Sequence, residues 1–385
     1  MIPLSEPSLW GRELEYITDC IASGWVSSIG EYIGRFERAL AEYVGVEHAV
    51  ACNCGTSALH VSLILDGIRE NDEVIVPTVT FIAPVNAVRY AGAFPVFVDC
   101  DEYCNLDVAA VGRFLAEECT AEDGTTVNKA TGRRVSAIIP VHVFGTPADM
   151  DAILDVASKY GLAVIEDASE ALGSAYKGRR CGGLAPLGCL SFNGNKIVTS
   201  GGGGAILTND ETLARRARNL TTQAKEEGIE YIHNSVGYNY RMNNVLAALG
   251  LAQLETIEER VARKHENFTK YAQVLGPAHA SRLLKQPAWS EANQWFYAYV
   301  CSDAPAKEAL LQACLSEGIQ ARPLWYPIHL QTPYREMQSY EIERACWFYD
   351  RLVNIPCSVA LTPDDIAEVA AVILASQELH SQGGC

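Results

Sequence analysis

The sequence predicts an α/β protein: a large domain with a mostly parallel central sheet, followed by a smaller α/β C-terminal domain. Three observations carry this expectation. Short Val/Ile-rich runs alternate with helical patterns over the first two-thirds of the 385 residues. The runs are nearly continuous in apolar residues, as strands covered on both faces require. From Asn244 a long helical pattern departs from that rhythm. The length fits two domains, expected at residues 1–245 and 246–385.

Taken in order, "HAVACN" reads as a strand and "TSALHVSLILDGI" as a helix with one broad apolar face. "DEVIVPTVTF", the helical "APVNAVRYAG" and the strand "FPVFVDC" come next. Between Cys100 and Ser136 lies a polar excursion, "EDGTTVNKATGRRV", whose Asp-Gly and Thr-Gly pairs read as turns of an exposed hairpin. "VSAIIPVHVFG" and "LAVIEDA" are further strands, separated by the helical "DMDAILDVASKYG"; "LGCLSFN" and "GGAILTN" complete the series. The stretch from Asn244 to Gly276 reads as one connecting helix. Beyond it "QWFYAYVCS" is a strand and "AKEALLQACLSEG" a helix, and "PDDIAEVAAVILASQEL" opens with Pro and acidic residues, both helix-start signals.

Thirty Lys and Arg against 47 Asp and Glu give a net charge of -17, and basic runs do not exceed pairs such as Arg133-Arg134. Nucleic acid is therefore not an expected partner, whereas a small anion needs only a few local donors. The 13 cysteines lack zinc-site spacing, so they read as thiols in a reducing compartment. Neither a leader nor a membrane-length apolar window is evident, and the expectation is a cytoplasmic protein.

Function in an open parallel sheet gathers beyond the carboxyl ends of the strands, and four polar constellations fall at such places. In "CNCGTSALH", Gly55, Thr56 and Ser57 open a helix; they suit a phosphate, or Thr56 or Ser57 simply caps the helix. In "VIEDASEALGS", Glu166 and Asp167 end a strand, either to cap the next helix or to face a cation. In "SFNGNKIVTSGGGG", Lys196 stands between Ser191 and four glycines. The P-loop order G-x-x-x-x-G-K-[ST] is not met, and the glycines precede a strand, so neither phosphate-loop motif applies. A lysine amine that forms a Schiff base beside a bulky, flat partner does fit. "GYNYRMNN" precedes the connecting helix and by itself reads as a packing loop.

Together these stretches resemble the DegT/DnrJ/EryC1/StrS family of nucleotide-sugar aminotransferases. The likeness runs from "SGWVSSIGEYIGRFE" to "RPLWYPIHLQ". It implies an aspartate-aminotransferase-like fold (fold type I) and pyridoxal 5'-phosphate, with pyridoxamine phosphate as the amino-carrying form. Lys196 matches the Schiff-base lysine; members with histidine there dehydrate instead, so transamination is implied. Asp167 matches the carboxylate on the pyridine nitrogen. Gly55, Thr56, Ser57 and Ser191 match the phosphate site, and Phe81 the aromatic stacked on the ring. Asn239 matches the asparagine that reaches the phosphate of the other subunit, which implies a homodimer. Trp25, Ser27, Arg241 and His329 match substrate-binding positions. Two positions depart from the pattern: Cys54 replaces a small polar residue, and Glu170 stands where Gln or His faces the cofactor's phenolic oxygen. As a carboxylate Glu170 would be repelled there, so it is either protonated or turned away. The glycine run is expected to leave room around the lysine.

The polar excursion and "FNGNKI" are most similar to the LegC-like branch, which makes UDP-4-amino-4,6-dideoxy-N-acetylglucosamine with L-glutamate as amino donor. A dTDP- or GDP-linked ketosugar, C3 amination or a non-catalytic descendant are the alternatives. A nucleotide hydrolase and an NAD-linked oxidoreductase are disfavoured by the missing glycine motifs.

Overall fold

The computed structural model describes residues 1–122, 124–226 and 229–383. Its central sheet runs in the spatial order His48–Cys52, Gly204–Thr208, Leu187–Ser191, Ala163–Asp167, Arg134–Ile138, Glu73–Pro77, Phe94–Val98 and Ser339–Tyr340. From Leu187–Ser191 outward to Ser339–Tyr340 every pairing along this order is parallel. Gly204–Thr208 runs against both of its neighbours. Its reversal follows from its connection: a loop, without a crossover helix, joins it to Leu187–Ser191, and only an antiparallel return is then possible.

The polar excursion forms the antiparallel pair Cys119–Glu122 and Thr125–Asn128, which extends onto Arg134–Ile138; Asp123 of the expected Asp-Gly turn lies outside the described residues. Buried Glu73 anchors the returning arm by accepting from Asn128 Nδ2 (2.7 Å) and Thr131 Oγ1 (2.8 Å). Three helices that the Val/Ile rhythm does not announce complete the large layer: Glu13–Ser23, Glu31–Val44 and Glu211–Thr221.

The expected single connecting helix is two, Asn244–Leu254 and Ile257–Ala280. The ladder breaks at Glu255 and Thr256. A further kink falls at Gly276, whose φ of 70° lies outside the right-handed region, directly before Pro277. A second hydrophobic core then forms around the antiparallel strands Tyr297–Val300, Leu352–Ile355 and Arg322–Pro323, covered by Ala304–Ser316 and Pro363–Gly383. Two further segments tie the regions together. Ile2 packs into this second core, whereas Ser339–Tyr340 returns to the central sheet. No helix among the described residues is long and apolar enough to cross a membrane.

Candidate active site

Register builds the site. Gly204 pairs with Cys52 on one side and Ser191 on the other, so the turn after Cys52 and the end of the Ser191 strand come side by side. A Cβ on Gly55 would lie 2.9 Å from Ser191 Cβ, and one on Gly204 would lie 2.5 Å from the Cys54 carbonyl carbon. Both positions therefore exclude a side chain. The glycine run is thus explained differently from the sequence expectation. Gly201 has a φ of 76° and Gly203 one of 147°, so the turn itself needs them, and Gly204 serves backbone packing. Gly202 and Gly203 do line the cavity beside Lys196.

The cap of the helix Gly55–Leu65 is Cys54, not Thr56 or Ser57: its sulfur accepts from Ser57 N at 3.4 Å. Among the described residues no protein acceptor meets the N–H groups of Gly55 and Thr56. An anion belongs there.

A cavity of about 320 Å³ opens at these carboxyl ends, lined by Gly55, Thr56, Phe81, Asp167, Glu170, Ser191 and Lys196. Thr80, Asn195, Ser169, Trp295, Phe296 and Trp325 also line it, and none of them is a site candidate of the sequence. Strand alternation separates the two acids of "VIEDA". Asp167 reaches the cavity and accepts from Ser169 N at 3.0 Å. Glu166 points away, bonded to His142 Nε2 (2.8 Å) and to the N–H groups of Gly182 and Leu184. That arrangement already occupies the carboxylate, so the buried grouping of His142, Glu166 and Cys181 reads as a structural tie.

Glu170 does not turn away. Its Oε2 accepts from Phe144 N at 2.9 Å, and its Oε1 lies 3.6 Å from Lys196 Nζ. Burial pushes the Glu170 carboxyl up to about 7, against the attraction of Lys196. Burial likewise raises Asp167 and lowers Lys196, all three because an ion loses its water. Raising a carboxyl and lowering an amine brings both toward neutral pH, where proton transfer is efficient.

The remaining expected residues do not line this cavity. Arg241 pairs with Glu37 at 2.6 Å and also donates to the Ala51 carbonyl. His329 Nδ1 is bonded to Thr78 Oγ1 at 2.7 Å. Trp25 and Ser27 are exposed on a loop held through their carbonyls by Asn244. Asn239 is exposed, and its carbonyl accepts from Asn53 Nδ2. All four of the expected substrate-binding residues thus lie outside the cavity of their own chain. Ser57 is buried at the capped turn, its hydroxyl 3.2 Å from Cys54 Sγ.

A lysine amine sharing a cavity with two buried acids, beside a free helix N-terminus at the carboxyl ends of the sheet, suits a pyridoxal-phosphate enzyme. The chain belongs to the DegT/DnrJ/EryC1/StrS aminotransferase family, whose model matches residues 7–374. It is 39% identical over 380 residues to the GDP-perosamine synthase of Caulobacter vibrioides, covering 97% of each chain. It is 36% identical to EpsN of Bacillus subtilis, a pyridoxal phosphate-dependent aminotransferase by name, over 97% of this chain and 95% of that one. A solved DegT DnrJ EryC1 StrS aminotransferase from Brucella abortus superposes with a TM-score of 0.86 at 29% identity, over 95% of each chain. The protein is a nucleotide-sugar aminotransferase that uses pyridoxal phosphate.

The residues present fit that cofactor. Thr80 Oγ1 and Asn195 Oδ1 are buried on the cavity wall with no partner among the described residues. Together with the open N–H groups of Gly55 and Thr56, they supply polar positions that a bound molecule would satisfy.

Proposed function

We propose that the enzyme aminates C4 of a nucleotide-linked 4-keto-6-deoxy sugar, with L-glutamate as donor, and works as a homodimer. The carrying observation is the placement of Lys196 Nζ between a buried acid and the anion-ready helix end. Pyridoxal phosphate, when bound, supplies the electron sink for the carbanion at the reacting carbon. Lys196 would hold it covalently, Asp167 would keep its ring nitrogen protonated, and Thr56, Ser191 and the Gly55 N–H would take the phosphate.

With the cofactor bound, the Lys196 amine would take the α-proton of glutamate as base and give it up again as acid, so that one group serves both proton movements. In the second half-reaction the same amine moves the proton in the opposite sense on the ketosugar. Burial lowers its proton affinity, the direction that favours the neutral amine the first transfer needs. Glu170, with its carboxyl near neutrality, can be neutral beside an anionic oxygen, which removes the repulsion a fixed carboxylate would bring. Asn239, exposed on its own chain, is proposed to complete the phosphate site of the partner, with Trp25, Ser27, Arg241 and His329 serving substrate across the same junction.

For the nucleotide we favour GDP, because the relative at 39% identity is named for a GDP-sugar product. The UDP-linked N-acetyl sugar expected from the sequence is the second reading, supported by the hairpin at residues 119–128 and the "FNGNKI" wording. The test offers GDP-, UDP- and dTDP-linked 4-keto-6-deoxy sugars in turn with glutamate and follows 2-oxoglutarate and aminosugar by mass spectrometry. A GDP-aminosugar formed at least tenfold faster supports the first reading, and preference for the UDP sugar replaces it with the second. Turnover equal in Lys196→Ala would overturn both.

A further inference from the structure

Trp295 stands 99 positions after Lys196 in the chain, inside a run that reads only as a strand, yet its ring centroid lies 3.8 Å from Lys196 Nζ. The indole is fixed on every side. Its Nε1–H donates to the carbonyl of Asn195, the residue before the lysine, at 2.7 Å. Its backbone N–H donates to Asn293 Oδ1 at 2.9 Å, and its carbonyl accepts from buried Lys264 Nζ at 2.7 Å. Asn293 in turn donates to the carbonyls of Glu170 and Leu172, both at 2.9 Å. Phe296 stacks at 4.0 Å with an interplanar angle of 6°. A side chain that is 3% exposed and bonded at each polar atom has no freedom to rotate away.

An aromatic face attracts an ammonium and is indifferent to a neutral amine, and the attraction grows where water is excluded. We propose that Trp295 is a positioning residue for Lys196: its indole face docks the ammonium form of the lysine whenever that amine is free. The dock does two things for the reaction. It holds a place for the proton that Lys196 collects, and it aims the released amine along one direction while the ring site is occupied by substrate. Asp167 at the end of the strand Ala163–Asp167 and Glu170 in the turn after it also favour the charged form of this amine. Glu6, Arg260, Lys264 and Cys357 border a small space that Trp295 and Lys196 both line.

This proposal rests on Lys196 being the reactive lysine of an aminotransferase, and its test separates the two. The full-length protein, freed of cofactor, is pulsed with acetic anhydride across pH. Acetylation at Lys196 is read by mass spectrometry against exposed Lys285. In W295L, which keeps the site dry but removes the aromatic face, the midpoint should fall by roughly one pH unit. W295F should restore about half of that shift, and E170Q should lower the midpoint independently. A midpoint in W295L equal to that of the wild type, with E170Q still shifted, overturns the dock. Circular dichroism checks the fold. Should W295L not fold, W295F decides alone: a lower midpoint than wild type supports the dock, and an unchanged one overturns it. Failure of the aminotransferase reading appears elsewhere, as a wild-type protein with no Lys196-dependent visible band on adding pyridoxal phosphate.

Discussion

Glu170 sits in an environment at odds with its chemistry. A carboxyl with an ordinary value near 4.5 is held at about 7 by burial. The folded chain therefore binds this proton more tightly than the unfolded chain does. Stability from this group is complete below about pH 4.5 and is lost as pH rises through about 7. Glu170→Gln cannot titrate and should abolish that slope. Between about pH 5 and pH 8 the cofactor-free variant should gain on the wild type by about 2 kcal/mol, read from urea midpoints. A difference that does not change with pH would show that the carboxyl does not titrate in this range. Lys196→Ala, in contrast, should keep the fold and lose the visible band with pyridoxal phosphate together with at least ~10³-fold of turnover.

Elements meet this site through close contacts that tolerate little change. Gly204→Ala puts a methyl within 2.5 Å of the Cys54 carbonyl carbon, so the helix Gly55–Leu65 must shift from Ser191. We expect about tenfold weaker pyridoxal phosphate binding with unchanged helix content, measured by fluorescence titration and circular dichroism. Binding as tight as in the wild type would mean that the turn relaxes without moving its N–H groups. At the far edge, Asp99 ties two segments far apart in the chain: its carboxylate accepts from the N–H groups of Glu343, Arg344 and Ala345 at 2.7–2.8 Å. It caps the helix Arg344–Tyr349 from another element, in place of Glu343, whose side chain makes no cap hydrogen bond. Asp99→Ala should cost about 2 kcal/mol, seen as a lower urea midpoint, and Asp99→Asn less.

On the scale of the whole molecule, Ile29, Ile229, Tyr231 and Val236 are exposed in the same two stretches that carry Trp25, Ser27 and Asn239. Apolar side chains so placed suit a partner subunit. If Asn239 completes the other subunit's site, mixing inactive Lys196→Ala with impaired Asn239→Ala should regenerate one intact site per hybrid dimer. Random exchange at equal amounts then returns activity to about a quarter of wild type. Recovery absent after verified exchange would place Asn239 and Lys196 of the same chain in one site.

The strands of the central sheet before Asn244, the fold class and the candidates Lys196 and Asp167 were legible in the sequence because they are local. Val/Ile runs, a strand-end acid and a glycine-flanked lysine are patterns within a dozen residues, written by periodicity and turn chemistry. Even so, some local questions waited for the structure. Cys54 rather than Thr56 or Ser57 caps the helix, because Cys54 holds the extended backbone of a cap position whereas Thr56 and Ser57 already lie inside the helix. Glu255 and Thr256 break a helix that the apolar pattern carries straight through.

What only the tertiary structure decided is which distant segments converge. Trp295, Phe296 and Trp325 wall the cavity although they lie about a hundred residues beyond the lysine, and no spacing rule connects them. The orientation of Glu170 toward Lys196 was equally open, since the sequence allows either direction. The cause is physical: side-chain spacing follows the backbone period, whereas proximity across the fold is set by packing and burial, to which residues from all parts of the chain contribute at once.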